Sequence, residues 1–236
     1  MPTTPPNAVR LAVSTVIFAL RADRAGGPPA LWTPLVRRTR EPQLGHWALP
    51  GGWLPPNEEL ETAAARTLRA TTGLAPSYLE QLYTFGGVDR SPGERVVSVV
   101  YWALLPSDEA ARATIGPNVR WVPADTLPEL AFDHAEIIAY ALWRLRTKVE
   151  YSEIAHALLG RTFTLAELRE VYEAVLRRPL DPANFRRTML ASGGLQETGE
   201  HRAGTPHRPP KLYRYDPAGT APGAREPFRD AERTAS

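Results

Sequence analysis

The sequence predicts an α/β domain with a mixed sheet, followed by a smaller domain of three helices and a β-hairpin. Apolar, β-branched runs alternate with helical periodicity in the first part of the chain, and short capped helical segments follow. The chain has 236 residues, which at roughly 100–200 residues per domain corresponds to two domains. We place them at residues 8–148 and 149–216, and we expect the polar tail of residues 217–236 to be disordered.

Strands are predicted in the first domain where apolar, β-branched residues lie between Gly- and Pro-rich turns. The five runs are Arg10–Leu20, Ala30–Arg37, Gln81–Phe85, Arg95–Leu105 and Val119–Val122. Two helices are predicted at Glu58–Thr72 and Asp133–Lys148, because apolar residues recur there at helical spacing.

The second domain shows clear helix starts and stops. A short helix is predicted at Ser152–Leu159, and Thr164 then caps a helix over Leu165–Leu176, with Glu167 completing a capping box. Asp181 caps a third helix, with Pro182 in its first turn, that we expect to end near Ser192.

Two strands complete the second domain. They are predicted at Leu195–Glu200 and Lys211–Tyr215, and the basic loop His201–Pro210 joins them. Three helices followed by a hairpin is the order of a winged helix-turn-helix.

The overall composition excludes several classes of protein. Apolar residues make up 43% and charged residues 23%, which is typical of a folded globular chain. There is no cysteine, so disulfides, thiolate metal sites and cysteine nucleophiles are excluded and a reducing compartment is favoured. The longest apolar stretch, Leu11–Leu20, is about half as long as a membrane helix. We therefore expect a cytoplasmic protein without membrane association.

Positive charge is concentrated in the second domain. Residues 1–150 carry 15 basic and 15 acidic groups, whereas residues 151–236 carry 13 and 11. The excess is strongest in the segment Arg177–Arg214, which has eight basic residues against three acidic ones. The basic residues are Arg177, Arg178, Arg186, Arg187, Arg202, Arg208, Lys211 and Arg214, and the acidic ones are Asp181, Glu197 and Glu200. Such a segment is a candidate surface for binding a polyanion.

One motif in the first domain points to a known family. The run HWALPGGWL at residues 46–54 is followed by Glu58, then by Arg66, and then by Leu68, Gly73 and Leu74 at fixed spacings. This pattern resembles the Nudix box, G-x5-E-x7-R-E-U-x-E-E-x-G-U with U apolar. The resemblance implies a Nudix-type α/β/α sandwich with a mixed sheet. The alternative is a β-turn followed by an ordinary Ala-rich helix.

The motif lacks the residues that would bind a metal. Thr67, Ala70 and Thr71 stand where the Nudix pattern has glutamates. These positions share one helix face, where three carboxylates would hold a hard divalent cation and two hydroxyls and a methyl would not. Without the cation, in-line attack on a diphosphate lacks its electrostatic support. We therefore expect no catalytic residues, no bound metal, no cofactor and no hydrolase activity.

The pocket itself remains a candidate binding site. Arg37 and Arg38, with Arg40, precede the Gly-rich run and are suited to bind a pyrophosphate, or they are a solvated strand end. Trp47 and Phe85 either stack on a base or pack in the core.

Other polar residues near this pocket have structural alternatives as well. Glu58, which we include in the candidate ligand site, has the alternative of a scaffold pair with Arg66. For His46 and His134 we favour structural hydrogen bonds, since no cluster has metal-ligand spacing.

Four segments extend the resemblance to most of the chain. FDHAEII at residues 132–138, YSEIA at 151–155, FTLAEL at 163–168 and NFRR at 184–187 are similar to the Nudix-related transcriptional regulators. That resemblance, over roughly residues 9–216, implies a homodimeric repressor of NAD-metabolism or sugar-utilisation genes. It also implies a palindromic double-stranded DNA operator and release by ADP-ribose or a related metabolite.

The helix after Asp181 is the predicted reading element. Phe185 and Met189 are four residues apart and face inward, so the polar residues between them face outward. Arginine and asparagine are suited to guanine and adenine edges, and the basic hairpin is suited to backbone contacts. The candidate DNA-binding residues are Thr164, Asn184, Arg186, Arg187, Thr188, Arg202, His207, Arg208, Lys211 and Arg214.

Two other hypotheses remain open at this point. The chain is alternatively a hydrolase of ADP-ribose or another nucleoside-diphosphate sugar that uses Glu58, Glu59 or Glu61. In the third hypothesis, the chain binds DNA and its first domain serves only to dimerise.

Overall fold

A computed structural model describes the chain except for residues 1–7, 23–26, 74–77, 114–115, 152, 204–208 and 217–236. The predicted disordered tail and the candidate DNA-binding residues His207 and Arg208 lie outside the described residues. The chain separates into two compact units: unit 1 comprises residues 1–19, 31–105 and 109–142, and unit 2 comprises residues 20–30, 106–108 and 143–236. No helix of the described residues is long and apolar enough to cross a membrane.

A seven-stranded mixed sheet forms most of unit 1. Its strands are β1 (Arg10–Ala22), β2 (Pro29–Arg37), β3 (Trp47–Ala48), β4 (Gly51–Trp53), β5 (Tyr78–Phe85), β6 (Val96–Leu105) and β7 (Val119–Pro123). The hydrogen-bonded order is β3-β2-β1-β6-β5, with β4 paired to β1 and β7 paired to β2. Strands β1 and β6 are parallel over ten residue pairs, whereas β5 is antiparallel to β6.

Apolar burial on both faces of β1 explains its continuous hydrophobic run. Every residue from Val13 to Leu20 is buried, as expected for a strand that is covered on both sides. Helix α1 (Leu60–Thr72) packs Ala63, Ala64 and Leu68 into the core clusters with β1 and β6. The predicted mixed α/β sheet is confirmed.

Helix α3 (His134–Tyr151) follows the last strand of the sheet, and a short helix α2 (Ser107–Ala111) precedes that strand. Ile137, Ile138 and Ala141 are fully buried in the first half of α3. The division between the units falls inside this helix, after Leu142.

Unit 2 contains the predicted helices and hairpin. A 3-10 helix (Glu153–Leu158) is followed by α4 (Leu165–Leu176), α5 (Pro182–Ala191), β8 (Leu195–His201) and β9 (Lys211–Tyr215). The capping box of α4 and the Asp181 cap of α5 are both present, as predicted. The first of the three helices is of the 3-10 type because it closes with an i to i+3 hydrogen bond from Leu159 to His156.

The Gly-Gly run forms a strand, although the sequence suggests a turn. Strand β4 pairs antiparallel with the first part of β1, with Gly51 opposite Ser14 and Trp53 opposite Ala12. A Cβ atom on Gly51 would lie 2.9 Å from both the Ser14 Oγ and the Val13 carbonyl oxygen. Glycine is therefore required at position 51 because two backbones approach closely there.

We expect Gly51→Ala to lower the free energy of unfolding by about 1–3 kcal/mol, because the added methyl overpacks the β1–β4 contact. Gly52→Ala is the matched control, since nothing lies within 4 Å of a Cβ at that position. Urea denaturation of both variants measures the difference, and equal stabilities would contradict the close approach.

Candidate functional site

Unit 1 contains an open cavity of about 500 Å³ beside the β1–β4 pair. Ser14 of β1 and Ser98 of β6 line it, and their hydroxyl oxygens are 3.2 Å apart. Gly51, Gly52 and Trp53 of β4 line it as well. The cavity is therefore lined by serine hydroxyls, by glycine backbone without side chains, and by charged side chains.

Five arginines line the cavity, and two of them form ion pairs. Arg10 binds Glu94 at 3.0 Å and stacks on Trp53, with its guanidinium carbon 3.5 Å from the ring centroid. Arg90 binds Asp133 through two hydrogen bonds of 2.7 and 2.8 Å.

The other three arginines of the cavity are Arg37, Arg38 and Arg40. Arg37 donates to the Gly45 carbonyl at 3.2 Å, and Arg38 donates to the Pro42 carbonyl at 2.9 Å. No carboxylate of the described residues is within ion-pair distance of these three guanidinium groups. Burial lowers the pKa of Arg38, and the nearby Glu41 carboxylate offsets part of this effect, so Arg38 remains a cation at neutral pH. Five arginines thus line the cavity against two carboxylates, those of Glu41 and Glu94.

The loop before α3 contacts the loop that follows strand β2 and contains Arg38 and Gln43. Gln43 and Phe132 both have positive φ angles, of 64° and 55°. The Gln43 side chain accepts a hydrogen bond of 2.8 Å from the Phe132 amide, and Arg38 lies over the Phe132 ring at 4.6 Å. This hydrogen bond thus stabilises two residues, Gln43 and Phe132, that both have a disfavoured backbone conformation beside the cavity.

His134 begins α3 and also lines the cavity. The Leu49 amide donates to its Nδ1 at 2.9 Å, which fixes the neutral ring with its proton on Nε2. The residue is only 7% exposed, and this burial lowers the pKa of His134 to about 4. The structural hydrogen bond expected for this histidine is present.

The positions of the missing glutamates do not fit a divalent cation. Thr67 is buried, and the Thr71 hydroxyl donates to the Thr67 carbonyl at 2.8 Å. Both carboxylate oxygens of Glu58 accept hydrogen bonds from Arg66, at 2.8 and 2.7 Å, and this lowers the pKa of Glu58. No group of three or more His, Asp or Glu side chains in the described part of the chain is placed to hold a metal ion.

Three of the predicted ligand residues do not line the cavity. Trp47 pairs with Arg37 across strands β2 and β3, and Glu58 is paired with Arg66. Phe85 packs edge-to-face against Tyr83 and Tyr140. Of the predicted ligand set, the structure brings Arg37 and Arg38 together at the cavity.

In unit 2, α5 presents the predicted outward face. Phe185 and Met189 are buried, and Phe185 packs against Tyr172 of α4. Asn184, Arg186 and Arg187 are exposed, and Thr188 is half-buried. Arg187 donates to the Asn184 side chain at 2.7 Å, so these two side chains are held beside each other.

The hairpin residues have partners within unit 2. Arg202 binds Glu167, Lys211 binds Glu197 at 2.7 Å, and Arg214 donates to the Gln196 side chain. Thr164 is buried, and its hydroxyl accepts from the Glu167 amide in the capping box. The Thr164 side chain is therefore engaged in capping α4 in this structure, and its predicted contact with DNA stays a prediction.

Comparison with known proteins identifies both parts of the chain. The NUDIX domain family matches residues 12–141, and the NrtR DNA-binding winged helix domain matches residues 155–215. The chain belongs to the Nudix-related transcriptional regulators.

Similar proteins come from several sources. The ADPR responsive transcriptional repressor NtrR of Acinetobacter baylyi is 36% identical over 77% of this chain and 74% of its own length. The ADP-ribose pyrophosphatase of Methanocaldococcus jannaschii is 32% identical over 47% of this chain and 66% of its own. The crystal structure of Shewanella oneidensis NrtR complexed with a 27mer DNA has a TM-score of 0.76 at 34% identity, covering 89% of this chain and 94% of that one.

Several cavity residues of this regulator escape sequence reasoning. Arg10, Arg90 and Phe132 come from three separated segments, so no local spacing connects them. His134 offers a weak signal, because it directly follows Asp133 at a helix start.

Replacing His134 by Gln tests the consequence of its buried neutral state. The unfolded chain binds a proton near pH 6.5 and the folded chain near pH 4, so the stability supplied by neutral His134 is present above 6.5 and lost as the pH falls. Between pH 7 and 5 the native protein should lose about 2 kcal/mol more stability than His134→Gln. His46→Gln, at an exposed position, is the control and should follow the native profile.

Proposed function

We propose that this chain is a transcriptional repressor that binds an operator through α5 and the hairpin and releases it when ADP-ribose or a related nucleotide occupies the cavity of unit 1. The proposal rests on one observation. A cavity of about 500 Å³, with three arginines that form no ion pair within the described residues, lies in the same chain as an NrtR-type winged helix.

The shape and charge of the cavity suit a nucleoside diphosphate. Its volume lies within the range of about 300–1,000 Å³ that is typical of small-molecule sites. Guanidinium groups bind phosphate oxygens with two parallel hydrogen bonds, and a diphosphate neutralises two of them. The Acinetobacter relative is named for its response to ADP-ribose, which agrees with this ligand class.

The side chains at the Nudix motif positions, on and before helix α1, support a regulator without hydrolase activity. Glu58, the one acidic residue that matches the motif, has both oxygens bound by Arg66, and Thr67 is buried. Electrostatic support for in-line hydrolysis of a diphosphate is therefore not provided by these residues. The similarity to an ADP-ribose pyrophosphatase reflects the shared fold and ligand class in this proposal.

Helix α3 is the proposed route from ligand to DNA. Phe132 and His134 line the cavity at the start of this helix, which continues past Leu142 into unit 2. A ligand shifts the protein only if it binds the DNA-incompetent state more tightly. We propose that the repressor is a homodimer on a palindromic operator, so that a change transmitted by α3 alters the spacing of its two reading helices.

A binding assay tests the switch. We expect ADP-ribose to release the protein from its own upstream DNA in fluorescence anisotropy, with Arg40→Gln needing about tenfold more ADP-ribose because one charge-assisted contact is lost. Arg120→Gln, an exposed arginine outside the cavity, is the control and should behave like the native protein. Native protein that stays on DNA at saturating ADP-ribose would contradict the switch.

The same samples test the absence of hydrolysis. ADP-ribose incubated with the protein and Mg²⁺ or Mn²⁺ should be recovered unchanged. Sustained product formation that Glu58→Gln abolishes would establish the hydrolase instead.

The double variant Arg186→Ala/Arg187→Ala tests the reading helix. It should lose specific DNA retention at moderate salt, because both exposed guanidinium groups of α5 are removed. Arg161→Ala, at an exposed position before α4, is the control. Unchanged operator binding by the double variant would remove α5 from the DNA interface.

A further inference from the structure

One carboxylate in unit 2 joins the start of α4 to the base of the hairpin. Oε2 of Glu167 accepts a hydrogen bond of 2.7 Å from the Thr164 amide, which completes the capping box. The same carboxylate accepts from Arg202, whose Nη2 lies 2.6 Å from each of its oxygens. Glu167 therefore serves a helix start and a loop at once.

Arg202 is the residue at which the hairpin opens into its loop. Strand β8 ends at His201, and the Arg202 amide donates to the Pro210 carbonyl at 2.9 Å to close the loop base. Further along, Phe163 and Tyr213 exchange two backbone hydrogen bonds of 3.0 and 2.8 Å. The hairpin is thus attached to the segment before α4 at two points, one through backbone and one through the Arg202–Glu167 pair.

We propose that Arg202 is a positioning residue for DNA binding, which fixes the base of the hairpin loop against the start of α4 through Glu167 and does not itself bind a phosphate. This inference rests on the proposed DNA-binding function, and it replaces the direct DNA contact that the sequence suggests for Arg202. Its Nη2 donates to both oxygens of the carboxylate, whereas Arg186 on α5 is exposed.

The charge of Glu167 makes the two roles of Arg202 distinguishable. The Glu167 carboxylate repels the phosphates of bound DNA. If Arg202 contacts DNA directly, removal of this negative charge should therefore strengthen DNA binding. If the carboxylate positions the hairpin, its neutralisation instead releases the loop base and weakens binding. The substitution Glu167→Gln therefore gives opposite signs under the two roles.

Glutamine is the suitable replacement because it also completes a capping box. Helix α4 should then remain capped, and circular dichroism of the full chain verifies that helix content and Tm are kept. The matched control is Glu197→Gln, which removes a carboxylate of similar exposure that pairs with Lys211 inside the hairpin.

The experiment compares operator affinity of the full-length native protein, Glu167→Gln, Arg202→Gln, the double variant and Glu197→Gln over a range of salt concentrations. We expect roughly fivefold weaker binding for each of the two single variants. The double variant should be no weaker than either single one, because the pair acts as a unit. The slope of log K against log salt should be unchanged in Arg202→Gln, and Glu197→Gln should bind at least as tightly as the native protein.

Two results would overturn the positioning role. One is tighter operator binding by Glu167→Gln. The other is a salt slope that falls by about 0.9 in Arg202→Gln, which is the loss of one phosphate contact. Either result leaves the proposed repressor intact as long as the native protein binds the operator, whereas failure of the native protein to bind would reject the proposed function itself.

Discussion

The hydrogen bond from the Leu49 amide to Nδ1 of His134 connects the parts of unit 1 on which the cavity depends. Leu49 is followed by Pro50, whose carbonyl accepts a hydrogen bond from the Thr15 amide of β1. The next residue, Gly51, lies so close to Ser14 that a side chain would not fit there. His134 begins α3. One buried contact between an amide and a neutral imidazole thus holds the Gly-rich strand, the central strand and the long helix around the same space.

The distribution of charge around that space is the basis for the proposal that this chain binds a nucleotide without hydrolysing it. Arg37, Arg38 and Arg40 form no ion pair within the described residues, so their guanidinium groups are suited to bind an anionic ligand. On helix α1, Thr67, Ala70 and Thr71 supply no carboxylate where the Nudix pattern has glutamates, and Glu58 is bound by Arg66. The proposed function rests on this arrangement, which suits a diphosphate and places no acidic group at the three motif positions to hold Mg²⁺ against it.

Sequence reasoning performs best where a local pattern determines the outcome. The capping box at Thr164 and Glu167 and the Asp181 cap are local, and both are present as predicted. The strand at Gly51–Trp53 was missed, because its pairing partner lies in β1, almost forty residues earlier, and glycines are more typical of turns. The family resemblance, and not periodicity, predicted the Nudix fold and the repressor class.

The candidate sites show the same limit. Arg37 and Arg38 were predicted from their place beside the Gly-rich run. Phe85, in contrast, packs against Tyr83 of its own strand and Tyr140 of α3, and only the folded domain brings that helix to the strand. Likewise, an arginine in a basic hairpin is typical of a DNA-binding residue, and only the ion pair of Arg202 with Glu167 indicates a different role.

The central claim is that the cavity binds an anionic nucleotide without a metal ion. Isothermal titration calorimetry of ADP-ribose with the full chain, once in EDTA and once in Mg²⁺, tests it directly. The account predicts saturable binding of equal affinity in both buffers. Binding that requires Mg²⁺, or no binding in either buffer, would contradict it.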